Sequence, residues 1–289
     1  AAALEDVLSH FTLTSTVEAE YGETLVKGTD MTLAHHGPRQ HHICPCMVEN
    51  RSNDAAPVEA IGVSHMDLDT VGGIMACLGI KPSGYGVFWG IAAQVDVKGP
   101  HKLGEITAPG MKCGDSRTTE AIQALNAYWA FSEGHRVFAP RGGSTKDVTS
   151  EVWEHIEALL KILILADKDL LQVGRDWADA KEELNKSSFI SYENGVVVRE
   201  ASCFTNHLYN TPSGDVAKAV VSLRLDTKAV TLSLESPING VDCSVIAQSL
   251  WGSEAGGHAS IAGSPRHIEY TIQDALDAAQ ALAKAINAE

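Results

Sequence analysis

The stretch Trp251–Arg266, WGSEAGGHASIAGSPR, sets one histidine between two glycine-bearing bends, directly after a short helical pattern. Gly256 and Gly257 can take backbone angles closed to other residues and let a ligand approach bare N–H groups, while His258 places a titratable donor beside them. Gly263 follows after two small residues, so the chain can turn twice around one point. The plainer alternative, a helix C-cap followed by an ordinary turn, needs one Gly and no His.

Upstream, Ala219 to Leu225 (AVVSLRL) and Ala229 to Glu235 (AVTLSLE) alternate apolar and polar residues and are separated by Asp226, Thr227 and Lys228, the pattern of a β-hairpin. Asp242 then precedes the apolar Val245, Ile246 and Leu250, which predicts an N-cap opening a short amphipathic helix. In this order of hairpin, helix and AGGHASIAG at Ala255 to Gly263, residues 190 to 272 resemble the DHHA1 domain and its GGGHxxAAG motif. Ala255 stands where that motif has its first Gly, and Ile261 where it has an Ala.

Bulk properties narrow the class. A chain of 289 residues with 44% hydrophobic composition has material for two cores, so two domains are expected. A formal charge of −15 opposes binding to a nucleic-acid polymer, which needs clustered Lys and Arg. The longest apolar region, Leu159 to Leu171, is interrupted by Lys161, Asp167, Lys168 and Asp169, so no membrane span is expected, and AAALEDVL at the start has no signal-peptide character. The six cysteines are dispersed, which fits reduced thiols and a cytoplasmic protein. Cys44 and Cys46 form a close pair without a second pair to complete a zinc site, and two thiols beside a Pro turn are the simpler account.

The N-terminal half reads as α/β. Val58 to Ser64 and Val87 to Val95 (VFWGIAAQV) have the length and apolarity of buried strands, and Val71 to Leu78 has helical composition broken by Gly72 and Gly73. Thr119 to Ser132 and Ser150 to Asp167 are helical by period. Alternating strands and helices imply a parallel sheet with ligands beyond its carboxyl ends. There stand His65, Asp67 and Asp69, at alternate positions and thus on one side of an extended segment, then Asp96 and His101, and finally Asp167. Met31 to His42 packs four histidines into eight positions, His35, His36, His41 and His42, among which the choice of ligands stays open with His36 and His41 put first. Singly, each acid is as well read as a helix cap and the histidines as a solvated loop.

Together these residues resemble the DHH phosphoesterase superfamily. Its HxDxDG motif is matched by His65, Asp67 and Asp69 in HMDLDTVGG, with Thr70 in place of Gly, while the Asp-His-His that names the family is absent. The resemblance implies a parallel-sheet DHH-like catalytic domain at 1–166, a helical linker at 167–189 and a smaller α+β DHHA1-like domain at 190–289. It implies two Mn²⁺ ions, or Zn²⁺, Fe²⁺ or Co²⁺, on His36, His41, His65, Asp67, Asp69, Asp96 and Asp167. His258, Asp96 and His101 take catalytic roles, and Gly256, Gly257, Arg266, His207 beside Asn206, and Arg117 hold an anionic substrate. A metal-activated water would act on a small phosphorylated or nucleotide molecule. Hydrolysis of a non-phosphate bond on the same scaffold, and a non-catalytic ligand-binding protein, are the alternatives, and homo-oligomerisation is left open.

Overall fold

The computed structural model describes residues 2–19, 26, 30–35, 43–52, 54–106, 115–137 and 144–288. The chain divides into two compact units, Ala1–Ala178 and Asp179–Glu289. The first opens with helix α1 (Ala2–Leu8) and strands β1 (Thr14–Val17), β2 (Met31–Leu33) and β3 (Ala60–Val63). Both neighbours of β1 run parallel to it, giving the order β2-β1-β3, as the alternation of strands and helices led one to expect. All four residues of β1 are buried, as a central strand covered on both faces requires.

Helix α2 (Leu68–Leu78) runs unbroken through Gly72 and Gly73. A Cβ at Gly72 would lie 2.6 Å from Cys46 Cβ, and one at Gly73 2.7 Å from both Pro45 Cβ and Val17 Cγ1. The two glycines let α2 press against β1 and the single 3₁₀ turn Pro45–Met47, which outweighs their poor helix propensity. Because α2 begins at Leu68, His65, Asp67 and Asp69 do not share an extended segment. Asp67 turns the chain into the helix, its carboxylate accepting from Thr70 N at 2.8 Å, and Asp69 lies in the first turn.

The expected strand Val87 to Val95 is instead part of helix α3 (Gly86–Lys98). Phe88, Ile91, Ala92 and Val95 are buried at helical spacing, and a nine-residue apolar run suits a helix buried over most of its surface as well as a strand. Asp96 therefore sits in the last turn of a helix, not at a strand end. Helices α4 (Ser116–Gly134) and α5 (Thr149–Ile164) complete a core that includes Met75, Trp89, Leu125, Tyr128, Ile156 and Leu159. Helix α6 (Lys168–Ser187) covers most of the region expected to link the domains, and the division between the units falls within it.

The second unit holds β4 (Phe189–Glu193), β5 (Val196–Ala201), β6 (Ala219–Arg224), β7 (Val230–Leu234), helix α7 (Cys243–Trp251), β8 (Gly256–His258), β9 (Ile261–Gly263) and helix α8 (Ile272–Ile286). The sheet order is β4-β5-β6-β7-β9-β8, with β5 and β6 parallel and the remaining pairs antiparallel. β6 and β7 form the expected hairpin, and Asp242 caps α7 by accepting from Ser244 N and Val245 N. The GGH segment is not a loop but an edge strand hairpinned to β9 through Ala259 and Ser260. Leu232, Val221, Val198, Ala275 and Leu282 lie at the centre of this unit's core. Among the described residues, no helix is long and apolar enough to cross a membrane.

Candidate metal centre

Glu18 follows the last residue of β1 and has a left-handed backbone, φ 48°, unusual for a residue with a side chain. Its N–H donates to Leu33 O and its carbonyl accepts from Ser64 Oγ, so the chain leaving the central strand is tied to the ends of both neighbours. This bend buries the Glu18 side chain at the carboxyl edge of the parallel sheet, the residue being 1% exposed. His35, two residues beyond β2, donates its backbone N–H to Glu18 Oε1 at 3.1 Å.

Three carboxylates converge on the His35 imidazole. Its Nε2 lies 2.9 Å from Asp96 Oδ2, 3.5 Å from Asp69 Oδ2 and 3.8 Å from Glu18 Oε1. Asp69, 3% exposed, is oriented by Cys46 N–H, which donates to its Oδ1 at 2.9 Å. Its Oδ2 is buried and has no hydrogen-bond partner among the described residues. On the other side of the ring, Cys44 Sγ lies 3.5 Å from His35 Nδ1. Two sets, Glu18 with His35 and Asp69, and His35 with Cys44 and Asp96, bring their donor atoms within 4.8 Å of one another.

The electrostatics follow from this crowding. Burial raises Glu18 to about 7 against the backbone N–H of His35, with Asp67 and Asp96 raising it further and His65 lowering it. Burial also raises Asp69 to about 7, against its hydrogen bonds to Cys46 and with the charges of Asp96 and Asp67 adding to the shift. The Cys44 thiol is pushed up to about 12 by burial and then by Asp69, Asp96 and Glu18. Like charges held this close favour either a proton or a cation between them. The donor set of carboxylate oxygens, one imidazole and one thiol suits a divalent metal ion.

A second pair stands beside the first group. His65 Nε2 is 3.0 Å from Asp67 Oδ2, and His65 Nδ1 is 2.7 Å from Ser64 Oγ. Asp67, which burial alone would raise, is held below the usual carboxylate range by His65 and Thr70, and the Asp67 hydrogen bond raises His65. Both side chains are more exposed than Glu18 or Asp69.

Of the residues expected from sequence, the structure thus brings Asp69 and Asp96 together and sets His65 and Asp67 nearby. His36 and His41 lie outside the described residues. Asp167 accepts from Asp169 N and Leu170 N and so caps α6, and His101 packs its ring over Gly99 in a 3₁₀ turn. Arg117 is exposed, its Nε 3.5 Å from Asp115. In the second unit His258 is exposed on the edge strand with Gly256 and Gly257, and His207 and Arg266 are exposed in loops. Glu18, His35 and Cys44 were not singled out as site residues. The signals available were the histidine cluster for His35 and the close thiol pair for Cys44, with none for Glu18.

Comparison with known proteins adds little. No protein-family model matches the chain, and no curated protein matches it. A solved structure of an uncharacterized protein from Helicobacter pylori G27 aligns with 100% of this chain and 88% of its own, at 9% identity and a TM-score of 0.22, and that superposition carries no weight for fold or function.

Proposed function

We propose that this protein is a metal-dependent hydrolase of the DHH phosphoesterase type, acting on a small phosphorylated or nucleotide substrate. The observation that carries the reading is the convergence of Glu18, Asp69 and Asp96 on one imidazole nitrogen of His35 at the carboxyl edge of a parallel sheet. These four residues would hold a divalent cation such as Mn²⁺, Zn²⁺, Fe²⁺ or Co²⁺, with His65 and Asp67 available to a second ion. Such ions polarise a phosphoryl oxygen and lower the pKa of water from 15.7 towards about 7.

The remaining chemistry falls to the chain itself. Asp67, held below the usual carboxylate range, raises His65 through their hydrogen bond, so where no second ion is bound this pair can exchange a proton with the substrate. In the second unit, the edge strand β8 carries the exposed His258, which would contact an anionic group at that strand. Arg266 would add a bidentate contact to the same anion.

Elemental analysis of the purified chain, beside phosphate release from phosphomonoesters and dinucleotides with added Mn²⁺, tests the reading. Bound metal with phosphate release is expected, and Asp67→Asn and His258→Ala should each abolish turnover while only the first loses metal. No metal under any loading condition would overturn the reading in favour of a ligand-binding protein. Because the sequence lacks the family's Asp-His-His, a second reading keeps the metal but cleaves a non-phosphate bond. Metal without phosphate release would select it.

A further inference from the structure

We propose that Cys44 is a ligand of this centre through its thiolate, so that the site takes a borderline cation such as Zn²⁺, Co²⁺ or Fe²⁺ in preference to Mn²⁺ or Mg²⁺. The inference rests on the metal-centre reading above and names the residue and cation class that complete it.

The two thiols of the Cys44-Pro45-Cys46 turn have separate surroundings. Cys46 is fully buried, its Cβ packed where Gly72 of α2 leaves room, with Sγ 3.9 Å from Trp89 O. It is part of the core. Cys44, 7% exposed, directs Sγ at His35 Nδ1, 3.5 Å away, and its next polar neighbour is Ala93 O at 3.8 Å. Its position is set by backbone, because Pro45 and Cys46 on its C-terminal side are pinned against Gly73 and Gly72. Sγ, a His35 nitrogen and an Asp96 oxygen lie within 4.8 Å of one another.

A second, independent observation points to a ligand at this place. Asp69 Oδ2 is buried without a hydrogen-bond partner among the described residues, 3.5 Å from Nε2 of the imidazole whose Nδ1 Cys44 faces. An ionised carboxylate accepts hydrogen bonds and donates none, so a thiol–imidazole contact alone leaves this oxygen unmatched. A cation held by Cys44, one His35 nitrogen and Asp96 would set positive charge beside it. Coordination replaces the S–H proton, which passes to solvent, and the thiolate then carries the soft end of a sulfur, nitrogen and oxygen set. Thiolate ligands favour Zn²⁺, Co²⁺ and Fe²⁺ over the hard ions.

The test loads the full metal-free chain with Co²⁺ and records its absorption spectrum. A near-ultraviolet thiolate-to-cobalt charge-transfer band is expected, complete loss of it in Cys44→Ser, and retention in Cys46→Ser. Zn²⁺ should displace the cobalt, and Mn²⁺ at the same concentration should not. Cobalt uptake without the band, or a band that survives Cys44→Ser, overturns the assignment of Cys44 and leaves the metal centre standing. No cobalt uptake overturns the metal centre itself. If Cys44→Ser fails to fold, X-ray absorption of the zinc-loaded wild-type and Cys46→Ser chains decides, with one sulfur at about 2.3 Å expected in both and none in either overturning the proposal.

Discussion

Arg199 and the group around His35 both place ionisable side chains in the interior, on opposite terms. Arg199, in the second unit, is 0% exposed, and all five of its N–H bonds have acceptors: Leu208 O, Asn185 O, Asn185 Oδ1, Ser188 Oγ and Asn210 O. Burial lowers it only to about 10, so it stays charged at neutral pH. Around His35, by contrast, carboxylates face one another, and both Glu18 and Asp69 are raised to about 7. A charge whose every donor is matched by neutral acceptors holds a fold together, here by tying β5 to the end of α6 and to the loop before β6. A set of like charges with an unmatched oxygen marks where something else is meant to bind.

The largest effect should come from the satisfied charge. Arg199→Met strands five acceptors and is expected to cost about 3–5 kcal/mol in thermal or denaturant unfolding. A loss below about 1 kcal/mol would erase the distinction, since that is the scale of one ordinary hydrogen bond.

Substitution in the His35 group should have the opposite sign. In metal-free protein, Asp69 and Glu18 keep their protons towards pH 7, whereas the unfolded chain releases them near the ordinary carboxylate values of 3.8 and 4.5. The native state then binds more protons, so stability falls as pH rises through this window, by on the order of 3 kcal/mol per carboxylate. Asp69→Asn should flatten that slope and stabilise the metal-free chain by about 2 kcal/mol at pH 7, while weakening metal loading. Denaturant midpoints at several pH values, with and without metal, check both halves. An equal loss of stability with and without metal would sink the comparison.

Two smaller changes probe sites without this conflict of charge. An added Cβ at Gly257 would sit 2.4 Å from Ile261 O and 2.7 Å from Ala262 Cα, both backbone atoms. Gly257→Ala should therefore distort the β8–β9 hairpin at a cost of about 2 kcal/mol, read as faster amide exchange there with the first unit unaffected. Buried His155 is fully matched as well: Nε2–H donates to His135 O and Nδ1 accepts from Tyr128 OH. Burial lowers its pKa, so its contribution is present above about 6.5 and is lost as pH falls below that value, the reverse of the carboxylate trend. Tyr128→Phe should cost about 1 kcal/mol in an unfolding titration at pH 7.

The parts legible in the sequence are those with local causes. The β6–β7 hairpin and helices α4 and α5 follow from short-range periodicity, and the start of α7 from the Asp242 cap. Val87 to Val95 misled because a run apolar on all sides has no phase, and length alone separates strand from helix there. Site residues divide in the same way. Asp69 and Asp96 stand out as acids within apolar segments, but Glu18 lies in TVEAEYGET, where nothing local distinguishes a buried acid from a solvated one. His35 was passed over for His36 and His41 because nothing local within a run of four histidines in eight positions singles out one of them. Cys44 joins the group through His35 and through Asp96, which lies far along the chain, so no spacing rule within one segment reveals it.

The parallel pairing of β1 with both β2 and β3 also bears on how the protein is made. Glu18, His35, Cys44, Asp69 and Asp96 all precede residue 100, so every donor of the group has left the ribosome long before the second unit is translated. Parallel pairs close only after intervening segments are laid down, and such non-local contacts form slowly. Once those pairs close, the first unit holds its cluster of acids while the second is still being made. If the proposed cation binds there, metal supply at that stage would govern yield, and expression in metal-depleted medium would lower the amount of folded chain recovered.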